Sequence, residues 1–499
     1  MATTSSSNYI FKITDAEYLT IKNLQLKTTG TSYGHVIEFG GAASYDTVSN
    51  CLLQGSTGST SSTNRAIIFA DNADGMISNG IIADTISNGS YGIYWNASSS
   101  TTVNNHAFNN NKFNNNYYCY IRTNHLGGTS IENNIMSASG ISGYHYGIYN
   151  YYPFSGCIVR NNTISTTNTS GLYGVYTYYG NYNDLTAPEL IVDGNNITLN
   201  SSSVIYGVNF EWYCNNINVN NNTVSCNSTG STVYGVRTYY FCNNVRCNSN
   251  NVTTTTNGYY TGNYPWYFFF TNYSNSSGTY FEIKNNVSNG TSNSSSGYMY
   301  PMTCQYSYNL DCSNNSFSGT GKYYFYGYGP LYYAYNSTAR NNTFNYTNTG
   351  YGSIYNYAAN VYNSSTTTDT FENNTINITN TSSGSIYNYA CYYIASGSVA
   401  QNNTYNISTN YGTLYNYGYY GNGGLIKNNT FNLNSNSGTI YGMYSTNYSY
   451  YAGATFVGNT FKLTSNYGTT YAFGGSSPGQ DMFLSNVFTT NTSGSSYLI

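Results

Sequence analysis

Val159-Arg160-Asn161-Asn162-Thr163-Ile164 returns along the chain as Phe371-Glu372-Asn373-Asn374-Thr375-Ile376 and as Ile426-Lys427-Asn428-Asn429-Thr430-Phe431. The pattern is an apolar or small anchor, an outward polar residue, usually Asn, then Asn, a small residue and a second apolar residue. Read in this register, the anchors are Ile21, Val48, Ile77, Phe108, Ile131, Val159, Val192, Val219, Cys247, Ile283, Cys312, Ala339, Phe371, Ala400, Ile426, Phe456 and Phe483. Their mean spacing is about 29 residues, the kind of fixed period that marks a solenoid. Five positions after the anchor stands a second apolar column, Leu26, Leu53, Ile82, Phe113, Met136 and Ile164 among its members, broken at Ser288. Alternation inside each copy is strand-like.

Some 14 to 17 residues beyond the anchor comes a further strand of the form Tyr-Gly-apolar-Tyr or Tyr-Asn-Tyr, as in Tyr146-Gly147-Ile148-Tyr149 and Tyr387-Asn388-Tyr389. Strand, corner, strand and variable loop, repeated once per period, predict an all-β fold: a right-handed parallel β-helix of about 17 coils. Residues 1–20 read as a lead-in with a first-coil strand, and residues 21–499 as continuous repeats with no separate second domain.

Three residues after the anchor, Asn recurs at 111, 134, 162, 195, 222, 250, 286, 315, 342, 374, 403, 429, 459 and 486. A corner between strands needs a residue that tolerates the left-handed region, and Asn does so best after Gly. The spacing therefore predicts that Asn111, Asn134, Asn162, Asn195, Asn222, Asn250, Asn286, Asn315, Asn342, Asn374, Asn403, Asn429, Asn459 and Asn486 turn the chain and hydrogen-bond from coil to coil. The first Tyr of the Tyr-Gly-apolar-Tyr strand shares parity with the apolar residue two later, which predicts that it stacks inward or at a corner.

With these repeats in view, the segment Thr14-Asp15-Ala16-Glu17-Tyr18-Leu19-Thr20-Ile21-Lys22-Asn23-Leu24-Gln25-Leu26 resembles the repeat of right-handed β-helix proteins of the pectate-lyase type. Ser90-Tyr91-Gly92-Ile93-Tyr94 is similar to a second strand of such repeats. The likeness covers residues 9–499 and implies the fold; that fold carries lyases, hydrolases, adhesins, tail spikes and passive stalks alike. In a catalytic member the resemblance implies Asp residues clustered on one face, with Ca²⁺ or a basic residue.

Composition bounds the function. Charged residues make up 6% of the chain, aromatics 18%, with 64 Tyr, 50 Gly and a net charge of −3. Scattered basic residues provide no stripe for a phosphate backbone, so no nucleic-acid partner is expected. No apolar run reaches the roughly 18 residues of a membrane span. Residues 1–8 lack the basic and apolar regions of a signal peptide, whereas the hydroxyl- and amide-rich composition reads as extracellular or cell-surface.

Acidic residues alternate with basic ones one position after the anchor (Glu132, Asp193 and Glu372 with Lys22, Arg160, Lys284, Arg340 and Lys427), a mixed solvated face. The local enrichment of Glu38, Asp46, Asp71, Asp74 and Asp84 includes Asp46 and Asp74, 28 residues apart, a weak Ca²⁺ candidate. His35, His106, His125 and His145 lack metal-ligand spacing. Most of the ten Cys read as small core residues; Cys214 and Cys242, 28 apart and each five before an anchor, are a candidate disulfide. Asn-x-Ser/Thr occurs at Asn96, Asn168, Asn227, Asn272, Asn336, Asn363, Asn447 and Asn491.

No catalytic residues, cofactor or metal are assigned. The leading expectation is a structural or adhesive surface solenoid that self-associates, end to end or laterally, since no capping helix is visible at either end of the repeat. The alternatives are a polysaccharide lyase or hydrolase and a glycan-binding module using exposed Tyr.

Overall fold

The computed structural model describes residues 7–98, 103–182, 184–273, 279–331, 334–360, 368–381, 383–410, 414–421, 423–445, 453–475 and 481–497. The sequons at Asn363 and Asn447 and the final Leu498-Ile499 pair lie outside them. The fold is all-β: a parallel solenoid of about 16 turns of about 28 residues. Helix among the described residues is confined to two 3₁₀ turns, Thr63–Arg65 and Ala73–Gly75. Contacts divide the chain into two units, residues 1–229 with 234–246, and residues 230–233 with 247–499.

In the first unit each coil contributes three strands, for example Ile158–Arg160, Thr163–Asn168 and Leu172–Tyr178. Each pairs in parallel with its counterpart one coil on, Val159 with Val192, Ile164 with Ile197 and Val175 with Val208. The second unit repeats the scheme, with Phe371 on Ala400, Ile376 on Tyr405 and Ile386 on Leu414. The two apolar columns are buried from Val48 and Leu53 to Phe456 and Phe461, with Leu26 and Phe488 half-buried and Phe483 exposed, and Ser288, which breaks the second, is itself buried between Val252 and Phe317.

The corner differs from expectation by one residue. The left-handed position is not the laddered Asn but the residue before it: Asn110, Asn133, Asn161 and Asn221 in the first unit, Asn285, Asn314, Asn341, Asn373, Asn402 and Asn428 in the second, all with φ between 53° and 61°. Gly194 and Gly458 take the same slot. A left-handed residue two after the anchor turns the chain and resets the alternation. That is why columns five residues apart, an odd offset, both face inward.

Freed from the turn, the following Asn points into the core. Asn134, Asn162 and Asn195 are at most 1% exposed. The backbone N–H of Asn134 donates to Oδ1 of Asn162 (3.0 Å), and so does its Nδ2 (2.9 Å). Asn162 returns an Nδ2 bond to the carbonyl of Ile131, the preceding anchor (2.8 Å). Every capacity of the amide is thus used: two donors given, two bonds accepted. The ladder runs in this form from Asn111 to Asn222 in the first unit and from Asn250 to Asn486 in the second.

One anchor is corrected. Ile81, not Ile77, pairs with both Val48 and Phe108, and Ile86, not Ile82, continues the second column. The two 3₁₀ turns lengthen this coil, so a constant period lands on the wrong isoleucine. The ladder slot three beyond Ile81 is consequently Asp84. The N–H of Cys51 donates to its Oδ1 (2.6 Å), and its own N–H donates to Oδ1 of Asn111 (2.9 Å). Where an Asn would place its Nδ2 donor, Asp84 places Oδ2, buried and without a partner. Burial pushes this carboxyl up to about 7.

Two outcomes follow from this geometry. Asn374→Val leaves the Asn342 donors without their acceptor at Oδ1; denaturant unfolding should show a loss of about 1–3 kcal/mol, and an unchanged midpoint would contradict the ladder. For Asp84 the folded pKa lies above the unfolded one, so its contribution is complete below about pH 4 and is lost as pH rises through 7. Asp84→Asn restores the amide donor. Its gain over the native chain should be near zero at pH 4 and on the order of 2–4 kcal/mol at pH 8, read from paired thermal melts across that range.

Candidate functional site

The outward face of the third strand carries a repeated aromatic pattern. In His145–Tyr151 the side chains of His145, Gly147, Ile148 and Asn150 are buried, while Tyr146, Tyr149 and Tyr151 are half-buried on the outside. Gly147 and Ile148 turn inward consecutively, so the alternation slips by one. Only Gly fits the first of these positions, because a Cβ there would lie 2.4 Å from the carbonyl oxygen of Gly174. Tyr146 therefore lies outside and not inward with Ile148, correcting the expectation from parity. The motif Tyr-Gly-apolar-Tyr reads out, in, in, out, and sets two Tyr side by side on the surface.

Stacking of coils turns these positions into ladders. In the first unit Tyr146, Tyr173, Tyr206 and Tyr234 stack with ring centroids 4.5, 4.8 and 5.0 Å apart and planes within 11°. In the second, Tyr357, Tyr389, Tyr417, Tyr441, Tyr471 and Tyr497 follow at 4.9–5.1 Å with planes within 13°. Tyr355, Tyr387 and Tyr415 form a flanking row, and Tyr392, Tyr420 and Tyr444 another. Each ring face is covered by its neighbour, so the surface presents hydroxyl-bearing edges at one coil's spacing. Burial pushes Tyr357 and Tyr149 up to about 12, so these phenols stay protonated.

Aromatics also occupy left-handed corners: Tyr152 and Tyr179 (φ 49° and 55°) stack at 4.7 Å, and Trp212 and Tyr240 (both φ 58°) pack at 4.8 Å with planes tilted by 31°. Bulky side chains rarely adopt this conformation, and the stacking offsets its cost.

One rung is a cation. Arg122 sits in register between Tyr94 and Tyr149, its guanidinium carbon 5.5 and 4.9 Å from their ring centroids. Cys119, below it, is the small residue in a column that elsewhere holds Tyr91, Tyr146 and Tyr173, and makes the space. Arg237 has a comparable cage of Tyr206, Tyr234 and Tyr239, and adds Glu211 at 3.7 Å.

The remaining candidates are placed as follows. Asp46 is buried and stacks on Asn79, not on Asp74: Leu19 N–H donates to Asp46 Oδ1 (2.7 Å) and Asp46 N–H to Asn79 Oδ1 (2.9 Å). Asp74 lies on the 3₁₀ turn Ala73–Gly75 and accepts from the N–H (2.8 Å) and hydroxyl (2.6 Å) of Ser98. The pair proposed for Ca²⁺ is therefore divided between two structural tasks, and no group of three His, Cys, Asp or Glu able to hold a metal occurs among the described residues.

Asp46 belongs to a second ladder, two residues before the anchor, which the sequence reading missed. It continues as Asn79 N–H donating to Nδ1 of His106 (3.1 Å), which leaves the imidazole proton on Nε2. Its signal was Asp, Asn, His and Thr at one offset, 46, 79, 106 and 129, obscured by the misplaced Ile77. Burial lowers His106 to about 3 and His145 to about 4, so both are neutral at physiological pH.

Cys214 and Cys242 are free thiols, as are the other eight, and all ten are buried. Stacked parallel neighbours lie close but present side chains side by side, poorly placed for a bridge. Of the sequons, Asn168 and Asn272 bury their amides, bonded to the carbonyls of Gly143 and Tyr308, whereas Asn336 and Asn491 are exposed.

No protein-family model matches the chain, and no curated protein matches it in sequence.

Arg122 gives the surface its test. Arg122→Met removes the charge and keeps the stem; unfolding should show a loss of about 1–2 kcal/mol from the cation–π contacts. A loss below a few tenths would mean the cage is incidental.

Proposed function

We propose that this protein is an extracellular, non-catalytic surface solenoid with a structural and adhesive role, its tyrosine face making the contacts. The observation that carries this reading is the set of outward Tyr ladders. They form a patterned, charge-poor surface of hydroxyl edges fixed by the laddered core, and surfaces made this way contact by repetition and not by a pocket. The charge-poor composition supports an extracellular setting. The free thiols are compatible with that setting: burial pushes Cys157 up to about 11 and Cys119 to about 12, and a buried protonated thiol is a poor partner for oxidation. Self-association, lateral or end to end, belongs to the same proposal and is read by light scattering and negative-stain imaging.

The glycan-binding alternative draws on the same aromatics. Sugars stack on ring faces, however, and the faces of the ladder rings are covered. Free faces belong to residues outside the ladders such as Tyr351 (85% exposed) and Tyr467 (79%), or to the small pairs Tyr259–Tyr260 and Tyr18–Tyr45. The lyase or hydrolase alternative has Asp46 and Asp74 as its acids, and both are engaged in holding backbone and Ser98.

The test compares the native chain with a Tyr387→Phe, Tyr415→Phe, Tyr441→Phe triple variant, which keeps the rings and removes three hydroxyls. Retention on insoluble polar supports should fall several-fold with an unchanged melting temperature, and neither protein should release reducing or unsaturated sugar from neutral or acidic glycans. Turnover abolished by changing Asp46 or Asp74 would replace the proposal with the enzyme, and saturable binding of one soluble oligosaccharide would replace it with the module.

A further inference from the structure

The motif that places two Tyr side by side does more than decorate the surface. In the second unit Tyr389 and Tyr392 both face outward because Ala390 and Cys391 between them turn inward. Tyr417 and Tyr420 flank the buried Gly418 and Tyr419, and Tyr441 and Tyr444 flank the buried Gly442 and Met443. The paired rings meet edge to face: 4.8 Å and 64° for Tyr389–Tyr392, 5.0 Å and 69° for Tyr417–Tyr420, 5.3 Å and 78° for Tyr441–Tyr444. Along the ladders the geometry is different, with parallel planes held a coil apart, as for Tyr389–Tyr417 at 5.0 Å and 3°.

We infer that these edge-to-face pairs are sites of oxidative tyrosine coupling, closing Tyr389–Tyr392, Tyr417–Tyr420 and Tyr441–Tyr444 into dityrosine bridges under hydrogen peroxide and a haem peroxidase. Each phenol gives up one electron and its hydroxyl proton, forming a phenoxyl radical. Two radicals join through a new carbon–carbon bond between ring carbons ortho to the oxygens. The hydrogen on each of those carbons returns to its oxygen, restoring two phenols. The pair has lost two hydrogens, and peroxide, taking two electrons and two protons, leaves as two waters.

Geometry favours the pairs within one strand over the diagonal edge-to-face contacts Tyr357–Tyr392, Tyr389–Tyr420 and Tyr417–Tyr444, whose coupling would tie two coils together. In an edge-to-face contact an edge of one ring already lies against the other, and rotation about the ring axes brings the two ortho carbons together. Stacked partners cannot close in this way without drawing two coils together against the backbone spacing of about 4.8 Å. The ladders serve instead as relays: a radical formed on an accessible ring can pass along faces about 5 Å apart (Tyr417–Tyr441 5.1 Å, Tyr441–Tyr471 4.9 Å) until it meets a second at an edge. The inference rests on ring geometry alone, so it and the adhesive reading can fail independently.

The experiment treats the full-length protein, at high dilution, with hydrogen peroxide and a haem peroxidase. The expected product is monomeric, shows dityrosine fluorescence, and yields peptides two hydrogens lighter whose fragmentation stops between Tyr417 and Tyr420. In Tyr420→Phe, which lacks the phenolic hydrogen, the bridge to Tyr417 is lost while the Tyr441–Tyr444 bridge remains; Tyr444→Phe gives the converse. Coupling confined to exposed loop residues such as Tyr351 and Tyr467, coupling only between molecules, or no coupling at all would each overturn the assignment.

Discussion

Everything in this fold depends on a corner made of two residues with separate tasks. The first adopts the left-handed conformation and turns the chain; the second, freed from the turn, buries its amide. A buried amide with an unused donor or acceptor costs about 1–3 kcal/mol, so it tolerates only a register in which the next coil supplies an identical amide at one strand spacing. Asn134, Asn162 and Asn195 meet that condition through bonds of 2.9–3.0 Å in both directions. Register is thereby set at one point per coil. The apolar columns on either side of the corner follow from it, because five residues separate them and the left-handed residue absorbs the odd step.

Where the ladder lacks an amide, the substitutes show what the slot demands. Cys51 fills it with a thiol that donates weakly to the carbonyls of Ser49 (3.4 Å) and Ile21 (3.9 Å). Asp84 fills it with a carboxyl that must carry a proton to resemble the amide it replaces. The entrance corner uses Asp46, Asn79 and His106 as successive acceptors of main-chain N–H groups. Two of the few ionisable groups in this chain, His106 and His145, are employed as neutral hydrogen-bonding groups inside, and burial keeps them so. His106 and His145, lowered to about 3 and about 4, obey the same rule as Asp84, raised to about 7.

The repeat made the fold legible, since each of the anchors from Phe108 to Val219 and from Ile283 to Phe483 stands where its spacing put it. It failed at Ile77, where two inserted 3₁₀ turns moved the true anchor to Ile81 and left another isoleucine at the expected distance. From that slip came the pairing of Asp46 with Asp74 and the omission of Asp84 from the ladder. Two other misreadings were conformational. Consecutive Asn residues look alike in sequence, and nothing but backbone geometry tells which turns and which bonds. Likewise parity predicts Tyr146 inside, unless Gly147 and Ile148 are known to turn inward together. Both errors fall where the chain departs from regular alternation, and the outward tyrosine face is built from such departures.

The scarcity of charge follows from the same in-register stacking. In a parallel solenoid every outward side chain lies directly above and below the same position of adjacent coils. Two like charges at about 4.8 Å repel by about 1 kcal/mol even at the dielectric of water, and a column of them repeats that cost at every coil. Charge survives here by alternation or dilution, as in Glu132, Arg160 and Asp193, or in Arg340, Glu372, Gln401 and Lys427, which are paired in sequence along one column. Where two acids do stack, Glu282 on Asp311, Lys284 bridges both at 3.0 and 2.9 Å. Salt links such as Arg160–Asp193 (3.2 Å) and the amide bond from Gln401 to Glu372 (2.8 Å) are the product. A residue that stacks on its own copy escapes the constraint. Asn does so through its amide and Tyr through its ring, the latter gaining about 0.5–1.5 kcal/mol per pair. Tyr also leaves a hydroxyl at the water's edge, so a column can be packed, uncharged and solvated at once.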